Sequence, residues 1–293
     1  MIPKELLKAL RKLEITTSRL ANQQLSGNYT SVFRGQGLAF REVRQYEAGD
    51  DIRAIDWNVS ARMDHTYVKV FTEEREMSVM LVVDLSASEA FGTRRAPKSQ
   101  VAAEVGAVCA FSAVKNDDRV GLILCTDRVE KIVPPKKGKK HVMRVVREIL
   151  GATPQHGETN LGVALQTLCD VARRRSVAFV LSDFFAEGYE RSLALAAARH
   201  DVIPVLLLDP RDEELPDVGL AHFEDLETGE TLVVDTSSPA VREHYRLQMA
   251  AQRGQTIQMF QKLGLDHCVV RTDRSYVEPL HELFTRRARR ARA

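Results

Sequence analysis

From residue 76 onward, short unbroken apolar runs alternate with longer segments whose apolar positions recur at helical spacing. The runs at 79–83, 120–124, 177–181, 202–208 and 268–270 hold no charged side chain, as strands covered on both faces of a parallel sheet require. Val129-Glu130-Lys131-Ile132-Val133 mixes apolar and charged positions and is predicted as an antiparallel partner of 120–124. Helices are predicted over 98–114, 141–150 and 161–172. Glu227-Thr228-Gly229-Glu230 reads as the turn of a hairpin formed by 222–225 and 231–234. Strands alternating with helices in this way predict an α/β fold, a doubly wound and mostly parallel sheet, over residues 76–275. Upstream, Leu6, Leu10, Leu13 and Leu20 predict an amphipathic helix over 4–25. Glycine-punctuated alternating runs at 38–43 and 67–71 then predict a small β-rich module. The division is 1–75 for helix and module, 76–275 for the α/β domain, and 276–293 for a C-terminal helix and basic tail.

Composition narrows the function classes. Hydrophobic residues make up 44% and charged residues 28% of the 293, which is globular rather than disordered composition. A net charge of +2 supplies no electrostatic footprint for nucleic acid, so none is expected as a partner. The apolar runs are too short to cross a bilayer, and the N-terminus has no uninterrupted apolar core of a secretory signal. Cys109, Cys125, Cys169 and Cys268 form no CxxC pair and read as reduced core thiols. A cytoplasmic protein without a membrane span is the expectation. The arginine-rich tail 286–292 reads as a frayed, solvent-screened end.

Ligands of such sheets bind beyond the carboxyl ends of the strands, where strand order reverses. Three polar groups follow the apolar runs there: Asp84-Leu85-Ser86-Ala87-Ser88, then Thr159 ahead of the 161–172 helix, then Ser182-Asp183. Alternate residues of a loop curling over a strand end can aim their oxygens at one point. Asp84, Ser86, Ser88, Thr159 and Asp183 would then form an all-oxygen set, which suits a hard cation such as Mg²⁺. Each piece also has a plainer reading, as a turn or a helix cap; Thr159 alone reads as the N-cap of the following helix. Their occurrence together, in order and after strands of the right type, favours metal.

These residues resemble the metal-ion-dependent adhesion site of von Willebrand factor A domains. The stretch 44–57, with Gly49, Asp50, Asp51, Arg53, Asp56 and Trp57, and the later Ser182-Asp183-Phe184 and His200-Asp201-Val202, resemble a bacterial family of unknown function. That family carries an A-like domain and is typically encoded beside MoxR-type AAA+ ATPases. The resemblance implies Asp84, Ser86 and Ser88 as primary ligands, with Thr159 and Asp183 binding directly or through water. It implies Mg²⁺, with Mn²⁺ or Ca²⁺ as alternatives, completed by an Asp or Glu carboxylate of a protein partner. That partner would be a MoxR-type ATPase or its client, and the chain would be an adaptor, not an enzyme. Glu89 departs from the small apolar residue or Met usual after the second serine. The competing reading is a Mg²⁺-dependent phosphohydrolase using the same carboxylates, which lacks an evident general base.

Other motifs fail. His281-Glu282 has Thr285 where a zinc protease needs its second histidine, and Gly35-Gln36-Gly37 has Phe40 at the third glycine of a dinucleotide fingerprint. Arg41, Arg44, Arg53, Arg62 and Arg75, set among Glu42, Asp50, Asp51 and Asp56, read as an internal network of arginine–carboxylate pairs fixing the N-terminal module against the α/β domain, in preference to a partner or anion surface. Trp57, the single tryptophan, reads as its packing anchor.

Overall fold

The computed structural model describes residues 37–74, 77–86, 96–152, 159–224 and 231–290; the helix expected over 4–25 lies outside them. The chain divides into two compact units, one within Phe33–Met77 and one from Ser78 onward.

In the smaller unit, β1 (Gly37–Gln45) pairs antiparallel with β2 (Tyr67–Glu74), with a register shift between Phe40 and Glu42. The acidic residues between them act locally. Asp50 takes both arms of the Arg44 guanidinium at 2.8 and 2.6 Å and the Glu47 N–H at 2.9 Å. Asp51 caps a single 3₁₀ turn (Ile52–Ala54), and Asp56 caps the four-residue α1 (Trp57–Ser60) by accepting from the Asn58 and Val59 N–H groups. The Arg44–Asp50 pair is thus local to this unit and partly exposed. Trp57 is not the anchor expected of it: it is 68% exposed, because α1 is too short to present a buried face.

The larger unit is built on six strands: β3 (Ser78–Asp84), β4 (Arg119–Cys125), β5 (Val129–Lys136), β6 (Val177–Ser182), β7 (Asp201–Leu208) and β10 (Cys268–Arg271). Their order is β10-β7-β6-β3-β4-β5, parallel throughout except for the antiparallel β4–β5 edge. This is the doubly wound, mostly parallel sheet anticipated from the unbroken apolar runs. A separate hairpin joins β8 (Leu220–Glu224) to β9 (Thr231–Asp235).

Helices cover both faces. On one lie α2 (Lys98–Lys115), α3 (Lys139–Leu150) and α8 (Val277–Arg290); Gly106 of α2 lets Leu81 of β3 and Ile149 of α3 approach together, and Phe179 of β6 meets the Phe284 ring edge-on. On the other lie α4 (Leu161–Val171), α5 (Glu190–Arg199) and α7 (Pro239–Lys262), packed on Met80, Val82, Ala178 and Val180. α3 is amphipathic in the usual way, burying Val142, Val145, Val146 and Ile149. α2 is buried nearly all round from Val101 to Ala113, which its alanines and Gly106 permit. α7 buries only Phe260 of its 24 residues, so it carried no periodic signal in the sequence. A four-residue helix, α6 (Pro210–Glu213), follows β7.

The C-terminal arginines correct the expectation of a frayed tail. Within α8, Arg287 bonds Asp201 and Asp266, Arg290 reaches Asp266 at 2.7 Å, and Arg286 donates to the His267 carbonyl at 2.8 Å. They pin the helix to the start of β7 and the approach to β10. The four cysteines are free thiols, three of them buried. Among the described residues no helix is long and apolar enough to cross a membrane.

Candidate functional site

After β3 the chain passes to β4 on one side, and it later returns as β6 on the other. The carboxyl ends of β3 and β6 therefore flank the point where strand order reverses, the place where open α/β sheets bind ligands. Val83 pairs in register with Leu181, so Asp84 lies beside Ser182.

Asp84 ends β3 and is wholly buried. Its Oδ1 accepts the Ser86 N–H at 2.9 Å, and its Oδ2 accepts the Ser182 hydroxyl at 2.7 Å. The Ser86 side chain also bonds to it. All of these partners are uncharged. Burial first, and then the negative charge of Asp183, push its carboxyl up to about 6, against the pull of the serine hydrogen bonds. Ser182 is held in turn: its Oγ accepts the Phe184 N–H at 2.9 Å, across a turn in which Phe184 takes the left-handed φ of 57°.

Asp183 is in a different situation. Its Oδ1 accepts the Phe185 N–H at 3.2 Å, and its Oδ2 lies 2.9 Å from the ammonium of Lys98. Lys98 opens α2 and is 1% exposed. The same ammonium is 2.9 Å from Asp212 Oδ2 and sits 5.4 Å from the centre of the Phe185 ring. Asp212 accepts the Asp209 N–H, and Asp209, wholly buried, accepts the Thr272 hydroxyl at 2.6 Å. Burial raises the Asp212 carboxyl above the ordinary range, and Lys98 opposes that rise.

Thr159 reaches the same rim by a different route. The Leu85 N–H donates to the carbonyl of Cys125, the register partner of Asp84; the next residue, Thr126, accepts the Asn160 N–H at 2.8 Å. That bond stitches the 159–160 segment to the end of β4, beside β3. The cap of α4 is Asn160, whose side chain accepts the Val163 N–H at 3.2 Å, so the plain reading of Thr159 as N-cap is corrected. Ser88 and Glu89 lie outside the described residues.

The structure thus brings Asp84, Ser86 and Asp183 together and places Thr159 on the adjoining strand end. Ser182 was named at its strand end but left out of the ligand set, and Lys98 and Asp212 were missed. Lys98 left one trace in the sequence: it stands four, seven and eleven residues before Ala102, Val105 and Cys109, on the apolar side of the helix, opposite Gln100 and Glu104. Among the described residues no group of three or more His, Cys, Asp or Glu side chains could hold a metal ion. The donor set here is of another kind, hydroxyls around one carboxylate. A buried carboxylate whose partners among the described residues are neutral donors fits a hard divalent cation, which would balance its charge.

A family model described as "Protein of unknown function DUF58" matches residues 42–255, and the chain belongs to that family. It is 34% identical to the uncharacterized protein Rv1480 of Mycobacterium tuberculosis over 293 residues, 99% of this chain and 92% of the relative. It is 25% identical to the uncharacterized protein YeaD of Bacillus subtilis over 173 residues, 59% of this chain and 40% of that protein. Among solved structures it is similar to the conserved hypothetical protein BatB from Bacteroides thetaiotaomicron, at TM-score 0.47 and 16% identity over 73% of this chain and 99% of that one. It is also similar to a von Willebrand factor type A protein from Catenulispora acidiphila, at TM-score 0.39 and 13% identity over 88% of this chain and 50% of that one.

Proposed function

We propose that this member of the family is a metal-dependent protein-interaction module, an adaptor that docks an acidic side chain of a partner and turns nothing over. The observation that carries the reading is Asp84: a wholly buried carboxylate at the switch point of the sheet, held by neutral donors. Asp84, Ser86, Ser88, Thr159 and Asp183 would hold a Mg²⁺ ion, with Mn²⁺ or Ca²⁺ as alternatives, which would supply an attraction for an Asp or Glu carboxylate from outside. Ser182 fixes the rotamer of Asp84 through one oxygen while Ser86 holds the other, so the carboxylate is oriented before any ligand arrives. The hydroxyls of Ser86, Ser88 and Thr159 would offer oxygen without adding negative charge, which keeps a bound divalent ion electropositive. Attraction between such an ion and an acid is stronger in a partly dehydrated interface than in bulk water.

The sequence resemblance points to a MoxR-type AAA+ ATPase, or a client it remodels, as the partner. The test has two arms. Calorimetric titration of the purified chain with Mn²⁺ should give one site that Asp84→Ala abolishes. A partner captured from the source cells in Mg²⁺ should be lost both in chelator and with that variant. Absence of any divalent binding at millimolar Mn²⁺, or capture indifferent to chelator, ends the reading.

A further inference from the structure

We propose that Lys98 competes with the divalent cation for Asp183 and thereby sets how tightly the ion is held. The inference rests on the reading above and refines it.

Among the described residues the carboxylates of Asp84, Asp183, Asp209 and Asp212 lie at this end of the sheet, and Lys98 brings a buried ammonium to it. Lys98 lies at 2.9 Å from both Asp183 and Asp212, and it reaches them from α2, which comes from elsewhere in the chain than either. Its side chain is buried on the side of α2 that carries Ala102, Val105 and Cys109, away from the exposed Gln100, and the Phe185 ring lies over the ammonium. The two acids of the expected ligand set are therefore unlike. Asp84 is bonded by serine donors, whereas Asp183 is already engaged at Oδ2 by a full positive charge and at Oδ1 by a backbone N–H. A cation drawing on Asp183 must share it with Lys98, and it must also sit near a like charge.

A buried ion pair is weak evidence of a stabilising role, because desolvating the ions commonly costs as much as their attraction returns. A lysine kept for packing alone would leave metal affinity unmoved when replaced by a side chain of similar volume. Mn²⁺ affinity separates the two roles.

The experiment measures Mn²⁺ binding by calorimetry for the full chain and for Lys98→Met, Asp183→Asn and the double variant Lys98→Met/Asp183→Asn. Lys98→Met should bind Mn²⁺ at least tenfold more tightly than the unaltered chain. In the Asp183→Asn background the same substitution should bring a markedly smaller gain, since the contested group is gone. Unchanged or weaker binding by folded Lys98→Met overturns the proposal, as does an equal gain in both backgrounds. Should Lys98→Met fail to fold, Lys98→Met/Asp212→Asn restores the charge count and must still bind more tightly than the unaltered chain. If none of these chains binds Mn²⁺, the functional reading falls with the inference. If the unaltered chain binds and Lys98→Met gains nothing, the inference alone falls.

Discussion

Replacing Asp84 by asparagine should make the metal-free protein more stable at neutral pH while removing its response to Mg²⁺. A carboxyl held at about 6, instead of the ordinary 3.8, keeps its proton in the folded chain where the unfolded chain has already released it. Between those two values the native state binds more protons, so stability falls as pH rises through the window and stays low above it. Each pH unit of displacement corresponds to about 1.4 kcal/mol, so ionised Asp84 costs the fold about 3 kcal/mol at pH 7.5. Asparagine is isosteric and never ionises. Its carbonyl can still accept the Ser86 N–H, but its amide meets the Ser182 hydroxyl as a donor where Asp84 accepted. That mismatch costs about 1 kcal/mol. The expected outcome in urea denaturation with chelator is Asp84→Asn slightly less stable at pH 4 and about 2 kcal/mol more stable at pH 7.5.

Carboxylates that do not interact with Asp84 titrate in both chains and drop out of the difference, whereas Asp183 titrates jointly with Asp84 and belongs to it. Mg²⁺ should then raise the midpoint of the unaltered chain and leave that of Asp84→Asn where it was. A stability difference that stays constant from pH 4 to 7.5 would refute the electrostatic account of Asp84, whatever its sign.

Phe260 is wholly buried and meets the Phe184 ring edge-on at 5.0 Å, directly behind the Ser182–Asp183 turn. Phe260→Ala should cost about 3–5 kcal/mol in chemical denaturation. A Cβ on Gly121 would stand 2.5 Å from Met80 Sδ and 3.1 Å from the Pro135 nitrogen. Gly121→Ala should therefore lower the thermal midpoint through about 1–3 kcal/mol of overpacking. Burial pushes the Cys268 thiol up to about 12 and raises that of Cys109 further, while Cys169 is only half buried. An aromatic disulfide reagent should modify Cys169 first in the native protein and the remaining thiols only on denaturation; rapid native labelling of Cys109 would contradict the packing described.

The sheet was legible because a strand buried on both faces has nowhere to put a charge, so residues 79–83 and 177–181 announce themselves and the polar residues after them mark the rim. Asp84, Ser86 and Asp183 could be found by that logic alone. What the chain order hides is pairing across long separations. Asp183 reads as one of two equivalent acids until α2 delivers Lys98 to it, 85 positions earlier in the chain. The arginines of α8 read as a solvated tail until Asp201 and Asp266 are placed against them. Local rules failed by smaller margins. Thr159 and Asn160 are both competent caps, and only the Asn160 side chain accepting the Val163 N–H shows which one caps α4. Trp57 follows a capping aspartate, and nothing in its composition reveals that the helix it opens ends after four residues.

Why one acid is paired and the other is not is the question that joins stability to function here. A sequence selected for stability alone would place the lysine against Asp84, the carboxylate that is wholly buried and raised, or would replace Asp84 with a neutral side chain. Instead Lys98 goes to Asp183 and Asp212, and among the described residues Asp84 is held by serine donors alone. Local rules of consistency are broken at sites kept for another purpose. On the proposed reading the two arrangements are halves of one device. With Asp183 partly claimed by Lys98, an ion on this rim rests chiefly on Asp84 and neutral oxygens, retains most of its own charge, and binds weakly until an acid from outside completes the balance. Ion and partner should then bind with positive coupling. Each would tighten the other by the same factor, since linkage is reciprocal. A partner whose affinity is identical in Mg²⁺ and in chelator would be incompatible with that arrangement of charges.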